Sequence, residues 1–253
     1  MRFCVSYSHT HKVFLEDFFL KSFPFEKGVS LLIEQVSQKC ASGNLFSDGW
    51  RDQMLEKQIF INKCLNTFKK GEIAVFTDVD IRFYGKIKAD LTSCLEGKDI
   101  CFMKDHNTDE HGRCGGFFVV RVSSKIRSFF EEVANRLSSN KDSKVSFETS
   151  EQCAINNILN DHCYRRGKQS GSDTGIEWGY LPARYYTHGL YVEGIENFSM
   201  EDQSGLWWEN KNWSEKSCVF VPDDILVHHA NWCHGVDNKL HLLNWIKEIV
   251  DQK

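Results

Sequence analysis

The sequence of 253 residues has no apolar segment typical of secretion or of a membrane span. A membrane-spanning helix needs about 18 consecutive apolar residues. A signal peptide needs an apolar core of about 7 to 15 residues near the N-terminus. Residues 1–7, MRFCVSY, provide no such core. These absences predict a cytoplasmic, soluble protein without a transmembrane segment.

The ten cysteines include no Cys-x-x-Cys pair. This absence argues against a zinc ribbon and against a thioredoxin-type redox motif. Cys64, Cys101 and Cys153 lie within apolar patterns, and we expect them to be small core residues. Reduced thiols are the expected state of cysteines in a cytosolic compartment.

An excess of positive charge is also absent, because the formal net charge is −4. Such a chain has no overall attraction for nucleic acid or for an anionic membrane, and we expect no nucleic-acid partner. An anionic ligand must therefore be held by a local arrangement of residues. With 41% hydrophobic and 13% aromatic residues, the composition is that of a globular protein with a sizeable core.

Strands and helices are predicted to alternate up to about residue 160, which indicates an α/β sheet. The predicted strands are 3–7, 73–77, 100–103 and 115–122, and the predicted helices are 50–70, 124–137 and 150–159. Residues 165–217 are rich in glycine, aromatic and polar residues, and we expect an irregular binding loop or lid there. Short strands at 219–221 and 225–227 and a final helix at 238–250 follow.

The segment 72–81, EIAVFTDVDI, ends a run of strand-forming residues with two carboxylates, Asp78 and Asp80. Side chains at i and i+2 of an extended chain point to the same face, with Cα atoms roughly 6 to 7 Å apart. Two ionised carboxylates so close repel each other unless a cation lies between them. Oxygen ligands of this kind favour a hard divalent cation that keeps positions free for phosphate.

A second polar cluster, residues 227–239 (VHHANWCHGVDNK), contains three histidines. Neutral imidazole is a common nitrogen ligand of transition metals, so one histidine could complete a site with the two aspartates. Gly235 permits close approach of a phosphate to the backbone, and Lys239 supplies a point charge for it. Mixed oxygen and imidazole ligands suit Mn²⁺ better than Mg²⁺.

Four sequence blocks follow one another in an order that is known from one enzyme class. They are 76–81 (FTDVDI), 114–121 (CGGFFVVR), 151–156 (EQCAIN) and 229–231 (HAN) with Gly235 and Lys239. With these blocks the chain resembles GT-A type nucleotide-diphospho-sugar transferases, in particular glycosyltransferase family 77, which is related to family 8. The resemblance covers residues 50–160 and 218–250, and in 165–217 it is limited to 179–189.

The resemblance implies a single GT-A domain over residues 1–253, Rossmann-like, with a mixed central sheet flanked by helices. Residues 1–125 would form the part that binds nucleotide and metal. Residues 126–253 would form the acceptor side and carry the C-terminal motif for metal and phosphate. The implied reaction moves a sugar from a nucleotide-diphosphate sugar, expected to be a UDP-sugar, to a carbohydrate or other hydroxyl acceptor, with retention of anomeric configuration.

The same resemblance implies roles for individual residues. Asp78 and Asp80 of the Asp-x-Asp (DXD) motif would bind Mn²⁺, or Mg²⁺, with His229 as the third ligand. His234 beside Gly235 is the alternative ligand, whereas His228 is expected to point the other way along its strand. The residues implied in donor binding are Tyr7, Ser8, Thr10, Lys57, Thr77, Val79, Gly115, Gly116, Asn231, Gly235 and Lys239. Arg51 on the same helix is the alternative to Lys57.

Glu151 and Gln152 are the candidate catalytic residues, because they correspond to an Asp-Gln pair near the donor sugar in much of the family. Glutamate for aspartate is a departure that adds one methylene. A structural alternative for Gln152 is a helix capping box, in which its side chain returns to the backbone of Thr149. A further departure is Cys114, or Arg113 beside it, where the family often has asparagine before the glycine.

Two other hypotheses belong to different functional classes. A haloacid-dehalogenase-like phosphatase also places Asp-x-Asp after an apolar strand, and Asp223 with Asp224 resembles the later acidic pair of that class. It leaves the histidine cluster without a role. The other hypothesis is a non-catalytic, metal-dependent carbohydrate-binding module. Turnover of a nucleotide sugar would separate a transferase from such a module.

Overall fold

A seven-stranded mixed sheet forms the centre of the computed structural model of this chain. The structure describes residues 1–44, 47–104, 112–139, 149–164, 170–171, 175–187, 221–231 and 235–253. The strands are β1 (Arg2–Tyr7), β2 (Ser30–Gln35), β3 (Ile73–Thr77), β4 (Ile81–Phe83), β5 (Ile100–Lys104), β6 (Arg113–Arg121), β7 (Ser170–Gly171), β8 (Ile176–Tyr180), β9 (Tyr185–Thr187) and β10 (Val227–His229).

The strand order of the large sheet is β2-β1-β3-β6-β5-β8-β7. Strands β1, β2 and β3 are parallel to one another, whereas β6 is antiparallel to its neighbours β3 and β5. Strand β8 is parallel to β5, and β7 is antiparallel to β8. The sheet therefore takes strands from both sides of residue 125. In a smaller three-stranded sheet, β10 pairs antiparallel with β4 and parallel with β9.

Helices cover both faces of the large sheet. They are α1 (Lys12–Phe14), α2 (Leu20–Ser22), α3 (Trp50–Thr67), α4 (Lys88–Cys94), α5 (Ser124–Ser139), α6 (Glu151–Tyr164) and α7 (Val236–Asp251). A 3₁₀ turn at His9–His11 precedes α1, and a π-helical turn at Leu15–Phe19 joins α1 to α2. Among the helices that the structure describes, none combines the length and the apolar character that crossing a lipid bilayer requires.

The hydrophobic core lies in two layers because successive side chains of a strand point to opposite faces of the sheet. In β3, Val75 packs in the layer that contains residues of the N-terminal helical segment, α4 and α7. Its neighbours Ala74 and Phe76 pack in the layer that contains residues of α3, α5 and α6. The structure therefore confirms the predicted mixed sheet flanked by helices.

The regular elements agree closely with the sequence predictions where the hydrophobic pattern is strong. Strand β3 has the predicted bounds, and α3, α5, α6 and α7 lie where helices were expected. Cys64, Cys101 and Cys153 are buried, as predicted. In these segments the local pattern and the tertiary packing favour the same structure.

The sequence predictions are wrong for several short strands. β8 and β9 lie within 165–217, where no strand was expected, and most of the other residues of that segment lie outside the described ones. The strand predicted at 225–227 lies at Val227–His229 instead. Residue 221 is described and is not in a strand, and 219–220 lie outside the described residues. Strands of three to five residues are stabilised by pairing with their neighbours, so their own sequence indicates them only weakly.

Strand β2 was also not predicted. It lies at the edge of the large sheet, and both Leu32 and Ile33 are exposed. Its sequence, SLLIEQ, therefore lacks the alternation of buried and exposed residues on which strand prediction depends.

Candidate functional site

The two aspartates of the Asp-x-Asp motif lie in the turn that connects β3 to β4. The turn is fixed at both ends by backbone hydrogen bonds. The N–H of Asp78 donates to the carbonyl of Gly116 in β6 at 2.7 Å, and the N–H of Ala230 donates to the carbonyl of Asp80 at 3.0 Å. The residues are therefore in a bend and not in the extended chain that their spacing suggested, although their carboxylates still converge.

The small sheet brings His229 to the two aspartates. In the pairing of β10 with β4, His229 lies opposite Ile81, the residue that follows Asp80. The Nε2 atom of His229 is 3.4 Å from Oδ1 of Asp80 and 3.6 Å from Oδ2 of Asp78. A contact between residues so distant in the sequence arises only when β10 pairs with β4.

The three side chains fit a single divalent cation. One ligand atom from each of Asp78, Asp80 and His229 lies within 4.8 Å of the others. Two ligand atoms on opposite sides of an ion with bonds of about 2.1 Å are about 4.2 Å apart, so this spacing needs little adjustment. Asp80 and His229 are buried, whereas the side chain of Asp78 is 33% exposed and opens to a cleft. The arrangement can hold a metal and leave one side accessible to a ligand.

Each aspartate uses one carboxylate oxygen for a lysine and presents the other to His229. The Nζ of Lys57 is 2.5 Å from Oδ1 of Asp78, on the opposite oxygen from the one that faces His229. Lys239 contacts Oδ2 of Asp80, and the Oδ1 atom of that residue faces His229. The two lysines therefore orient the carboxylates and leave one oxygen of each directed to the position that a cation could occupy.

The surroundings of Asp80 favour its ionised form. Burial by itself raises the pKa of this carboxyl, but the charge of Lys239 and the contact with His229 together outweigh burial and hold the pKa well below its usual range. Asp80 is therefore a carboxylate near neutral pH, which is the form that a metal ion requires.

Lys57 is buried and connects Asp78 to α6. Its Nζ atom is 2.5 Å from Oε1 of Glu151 and donates to the carbonyl of Gly115 at 3.0 Å. Burial lowers the pKa of Lys57, but Asp78 and Glu151 outweigh this effect and raise it, so the ammonium stays charged.

Glu151 has partners on both carboxylate oxygens. Oε1 contacts Lys57, and Oε2 accepts a hydrogen bond of 2.9 Å from Nε2 of Gln58. Burial raises the pKa of Glu151, Lys57 opposes this shift, and the Asp78 carboxylate adds to it. A carboxylate that is buried and occupied in this way is suited to holding Lys57 in place.

Replacing Lys57 with methionine is expected to lower the free energy of unfolding by about 3 kcal/mol, because Glu151 and Asp78 lose their shared buried counter-ion. Urea unfolding of the two proteins measures the difference. Adding Glu151→Gln to the variant is expected to recover part of the loss. Lys63→Met is the control, since Lys63 forms an exposed pair with Glu34, and it is expected to unfold like the unmodified protein. Equal effects of the two single variants would contradict the assignment of a buried network.

The start of α6 places Gln152 at the cleft. The hydroxyl of Ser150 accepts a hydrogen bond of 3.0 Å from the N–H of Cys153, so Ser150 caps the helix. The capping box considered from the sequence placed the cap one residue earlier, at Thr149. Oε1 of Gln152 accepts a hydrogen bond of 3.4 Å from the N–H of Gly115, and Gln152 lines the cleft.

Two glycines of β6 make room for the side chains of the site. A Cβ atom on Gly116 would lie 2.2 Å from Cε1 of His229 and 2.7 Å from Oδ2 of Asp78. A Cβ atom on Gly115 would lie 2.8 Å from Oε1 of Glu151. Real Cβ atoms do not approach other atoms so closely, so both positions require glycine for the side chains to keep these places.

The cleft beside Asp78, Asp80 and His229 collects most of the residues singled out from the sequence. Its described lining includes Tyr7, Ser8, Lys57, Asp78, Val79, Asp80, Gly116, Glu151, Gln152, His229, Asn231 and Lys239. Thr10, Thr77, Gly115, Gly235 and Arg51 are not among these lining residues. Thr77 is buried and donates to the carbonyl of Asp78, whereas Thr10 bonds Gln38, which does line the cleft. Gly235 has φ of 78° and directly precedes α7.

Several lining residues were not identified from the sequence. They include His11, Gln38, Cys40, Trp50, Gln53, Met54 and Ser150. Nδ1 of His11 is 3.0 Å from the Ser8 hydroxyl, and burial, with the charge of Lys239 acting in the same direction, lowers the pKa of this imidazole. The only available signal for His11 was its place in the polar sequence 8–11 after β1.

The structure distinguishes the alternatives at two other positions. Cys114 lines the cleft, whereas Arg113 is buried with its guanidinium 3.9 Å from the ring centroid of Trp178. His228 is fully buried and packs on Tyr186, on the other side of β10 from His229. His234 lies outside the described residues.

The acidic pair that suggested a phosphatase lies away from the cleft. The side chains of Asp223 and Asp224 are 95% and 69% exposed. They pair with Lys253 and Arg184, which are not among the described lining residues of the cleft. The second carboxylate pair that the phosphatase hypothesis requires is therefore not at the site.

Comparison with known proteins agrees with this description. A family model of nucleotide-diphospho-sugar transferases matches residues 48–243. No curated protein sequence matches the chain. A glycosyltransferase involved in glycosylation of the major capsid of PBCV-1 is similar in structure, with a TM-score of 0.53 and 12% identity over 96% of this chain and 98% of that one. Galactosyltransferase LgtC, in complex with donor and acceptor sugar analogues, has a TM-score of 0.53 and 10% identity over 100% of this chain and 96% of its own. At such identities the structural likeness shows the fold, and it confirms the expected GT-A architecture.

Proposed function

The chain belongs to the nucleotide-diphospho-sugar transferase family, and from this premise we propose that it is a divalent-metal-dependent glycosyltransferase whose donor is a UDP-linked sugar. The observation that carries the proposal is the convergence of Asp78, Asp80 and His229 at the edge of a cleft. The proposed product is a glycoside of a carbohydrate or other hydroxyl acceptor, formed with retention of anomeric configuration.

Asp78, Asp80 and His229 would hold the ion, which we propose to be Mn²⁺, with Mg²⁺ as the alternative. Two carboxylate oxygens and one imidazole nitrogen form the mixed ligand set that Mn²⁺ accepts more readily than Mg²⁺ does. When bound, the cation draws negative charge from the diphosphate and makes it a better leaving group.

Lys239 and the start of α7 are proposed to contact the diphosphate. The Nζ of Lys239 contacts Asp80 at the cleft, so it lies beside the proposed metal position. Gly235, with its positive φ, directly precedes the helix, and the N–H groups of a helix N-terminus favour an anion. Asn231 lines the cleft and contacts the Thr187 hydroxyl, which holds its amide in place.

The nucleoside is proposed to bind where β1 and β3 end, because ligands of open α/β sheets bind beyond the carboxyl ends of parallel strands. Tyr7 and Ser8 line the cleft there, and the Tyr7 hydroxyl donates to Gln35 at 3.3 Å. Val79 also lines the cleft. Thr10 would support this part of the cleft through its hydrogen bonds with Ser8 and Gln38, and Thr77 through its hydrogen bond to the carbonyl of Asp78.

The donor sugar is proposed to lie between the metal and the start of α6. Gln152 lines the cleft and is proposed to contact the sugar, whereas Glu151 acts by positioning Lys57. During transfer the bond between C1 of the sugar and the diphosphate oxygen breaks, and a bond from C1 to the acceptor oxygen forms on the same face. The acceptor proton moves to the departing diphosphate oxygen.

Thermal unfolding with nucleotides tests the proposal directly. A ligand that binds only the folded protein raises the unfolding midpoint through mass action. We expect a shift with UDP or a UDP-sugar that requires Mn²⁺, and a smaller shift with GDP, ADP and CDP under the same conditions. A folded protein that shows no Mn²⁺-dependent shift with any nucleotide would contradict the proposal and favour a non-catalytic module.

His229→Ala is expected to remove the Mn²⁺-dependent part of that shift, since His229 supplies the only nitrogen among the proposed ligands. His228→Ala is the paired variant on the same strand, and it is expected to lower the midpoint of the metal-free protein but to keep the shift. Shifts measured relative to each variant's own metal-free midpoint separate the two effects. Loss of the Mn²⁺-dependent shift in His228→Ala but not in His229→Ala would show that the ligand was assigned to the wrong histidine.

A further inference from the structure

A thiol lies behind the histidine of the metal site. Cys114 in β6 is 1% exposed, and its Sγ atom is 3.6 Å from Nδ1 of His229. The other ring nitrogen, Nε2, faces Asp78 and Asp80. The imidazole is therefore placed between the thiol and the two carboxylates, with one nitrogen directed to each.

Metal binding constrains which nitrogen of the ring carries the proton. A neutral imidazole has one N–H group and one lone pair. A metal bound at Nε2 uses the lone pair there, so the proton must be on Nδ1 and needs an acceptor. The histidine ligands of metals usually donate this second N–H to a neighbouring group, which fixes the tautomer and the ring orientation.

The sulfur of Cys114 is placed to be that acceptor. It already accepts a hydrogen bond of 3.3 Å from the N–H of Gly116, so its lone pairs face the donors of the site. The same segment restricts the ring from another side, because the α-carbon of Gly116 lies so close to His229 that a Cβ would reach Cε1. Two residues of β6 therefore restrict the imidazole: Gly116 by close contact and Cys114 as a hydrogen-bond partner.

We propose that Cys114 is a positioning residue of the metal site, which accepts the Nδ1–H of His229 and keeps Nε2 directed to the ion. This inference rests on the proposed function, in which His229 is a metal ligand. It gives the cysteine a role in place of the asparagine that the family often has there. The sulfur would accept the proton that Nδ1 must carry when Nε2 binds the ion, and the contact would hold the ring in that orientation.

Direct measurement of Mn²⁺ binding tests the proposal without relying on activity. The free ion is followed by electron paramagnetic resonance during titration of the protein with Mn²⁺ in the presence of UDP. Cys114→Val keeps an apolar side chain of similar size and removes the acceptor, and it is expected to weaken Mn²⁺ binding by about tenfold or more. Cys114→Ser keeps an acceptor and is expected to lose less. Cys101→Val, at another fully buried cysteine that contacts the carbonyl of Cys94, is the matched control and is expected to bind Mn²⁺ normally.

The outcomes separate this inference from the proposed function. If the unmodified protein does not bind Mn²⁺, the proposed function itself fails. If it binds Mn²⁺ and Cys114→Val binds equally well, or serine costs more than valine, Cys114 is a packing residue and the inference is overturned.

A second measurement does not depend on the folding of any Cys114 variant. In the protein with ¹⁵N-labelled histidine, loaded with diamagnetic Mg²⁺ and UDP, the nuclear magnetic resonance shifts of the two ring nitrogens report which one is protonated. The His229 signals are identified by their loss in His229→Asn. We expect Nδ1 of His229 to be protonated and Nε2 to be unprotonated, and the reverse tautomer would overturn the inference.

Discussion

Replacing Asp80 with asparagine is expected to lower sugar transfer by about 10³-fold. The side chain keeps its shape but loses the charge that pairs with Lys239 and that would bind the ion. Metal stabilisation of a leaving group contributes several kcal/mol, and each step of about 1.4 kcal/mol in the barrier changes the rate tenfold. The buried position of Asp80 adds to the effect. Without the Asp80 carboxylate, the positive charge of Lys239 is no longer neutralised at this position and repels the cation.

The first measurement is kcat/KM for the acceptor, taken with a saturating donor at a series of Mn²⁺ concentrations. The second is direct binding of Mn²⁺ to the protein. Asp90→Asn is the matched control, because Asp90 is also an aspartate paired with a cation, Arg184 at 2.5 Å, but is not among the described residues of the cleft. It is expected to retain near-normal transfer. Near-normal, Mn²⁺-dependent turnover by Asp80→Asn would show that the metal-site hypothesis is wrong.

Replacing Gly116 with alanine is expected to weaken Mn²⁺ binding and to reduce sugar transfer by about 10²-fold or more. The added methyl group would lie 2.2 Å from the ring of His229 and 2.7 Å from Oδ2 of Asp78, so two of the three proposed ligands must move. A displacement of about 1 Å in a preorganised site can cost 10²-fold in rate. The φ angle of Gly116 is not in the left-handed region, so the effect arises from contact with the ligands and not from backbone strain.

The comparison variant is Gly179→Ala in β8. There an added Cβ would meet the side chain of Lys98 at 2.6 Å, and a long flexible side chain can move aside. Gly179→Ala is expected to retain Mn²⁺ binding and transfer. Urea unfolding of both variants shows whether a loss of binding follows from a loss of stability. A Gly116→Ala protein that is folded and binds Mn²⁺ like the unmodified protein would contradict the close packing of His229 against Gly116.

Much of the architecture can be predicted because the local pattern is strong. Strand β3 is a run of strand-forming residues, and helices α3 and α5 carry apolar residues at helical spacing, so their bounds follow from sequence within a few residues. β2 and β9 could not be predicted, since an exposed edge strand and a three-residue strand have no periodicity of their own. They form because neighbouring strands supply their hydrogen-bond partners.

The sequence by itself determined the family, the order of the motif blocks and the two aspartates of the proposed metal site. These follow from short, contiguous segments whose chemistry can be read directly. The resemblance had favoured His229 over His228, and the tertiary structure supplies the physical reason, because His229 points to the face of the small sheet on which Asp80 lies.

The tertiary structure also decided that Lys57 bridges Asp78 and Glu151, and that Cys114 stands behind the metal-site histidine. These contacts join residues that are separated by up to 115 positions in the sequence. No local spacing encodes such contacts. They exist because the pairing of β3 with β6 and of β4 with β10, together with the packing of α3 and α6 on the sheet, brings distant side chains into one buried volume, where each charge and each hydrogen-bond donor needs a partner.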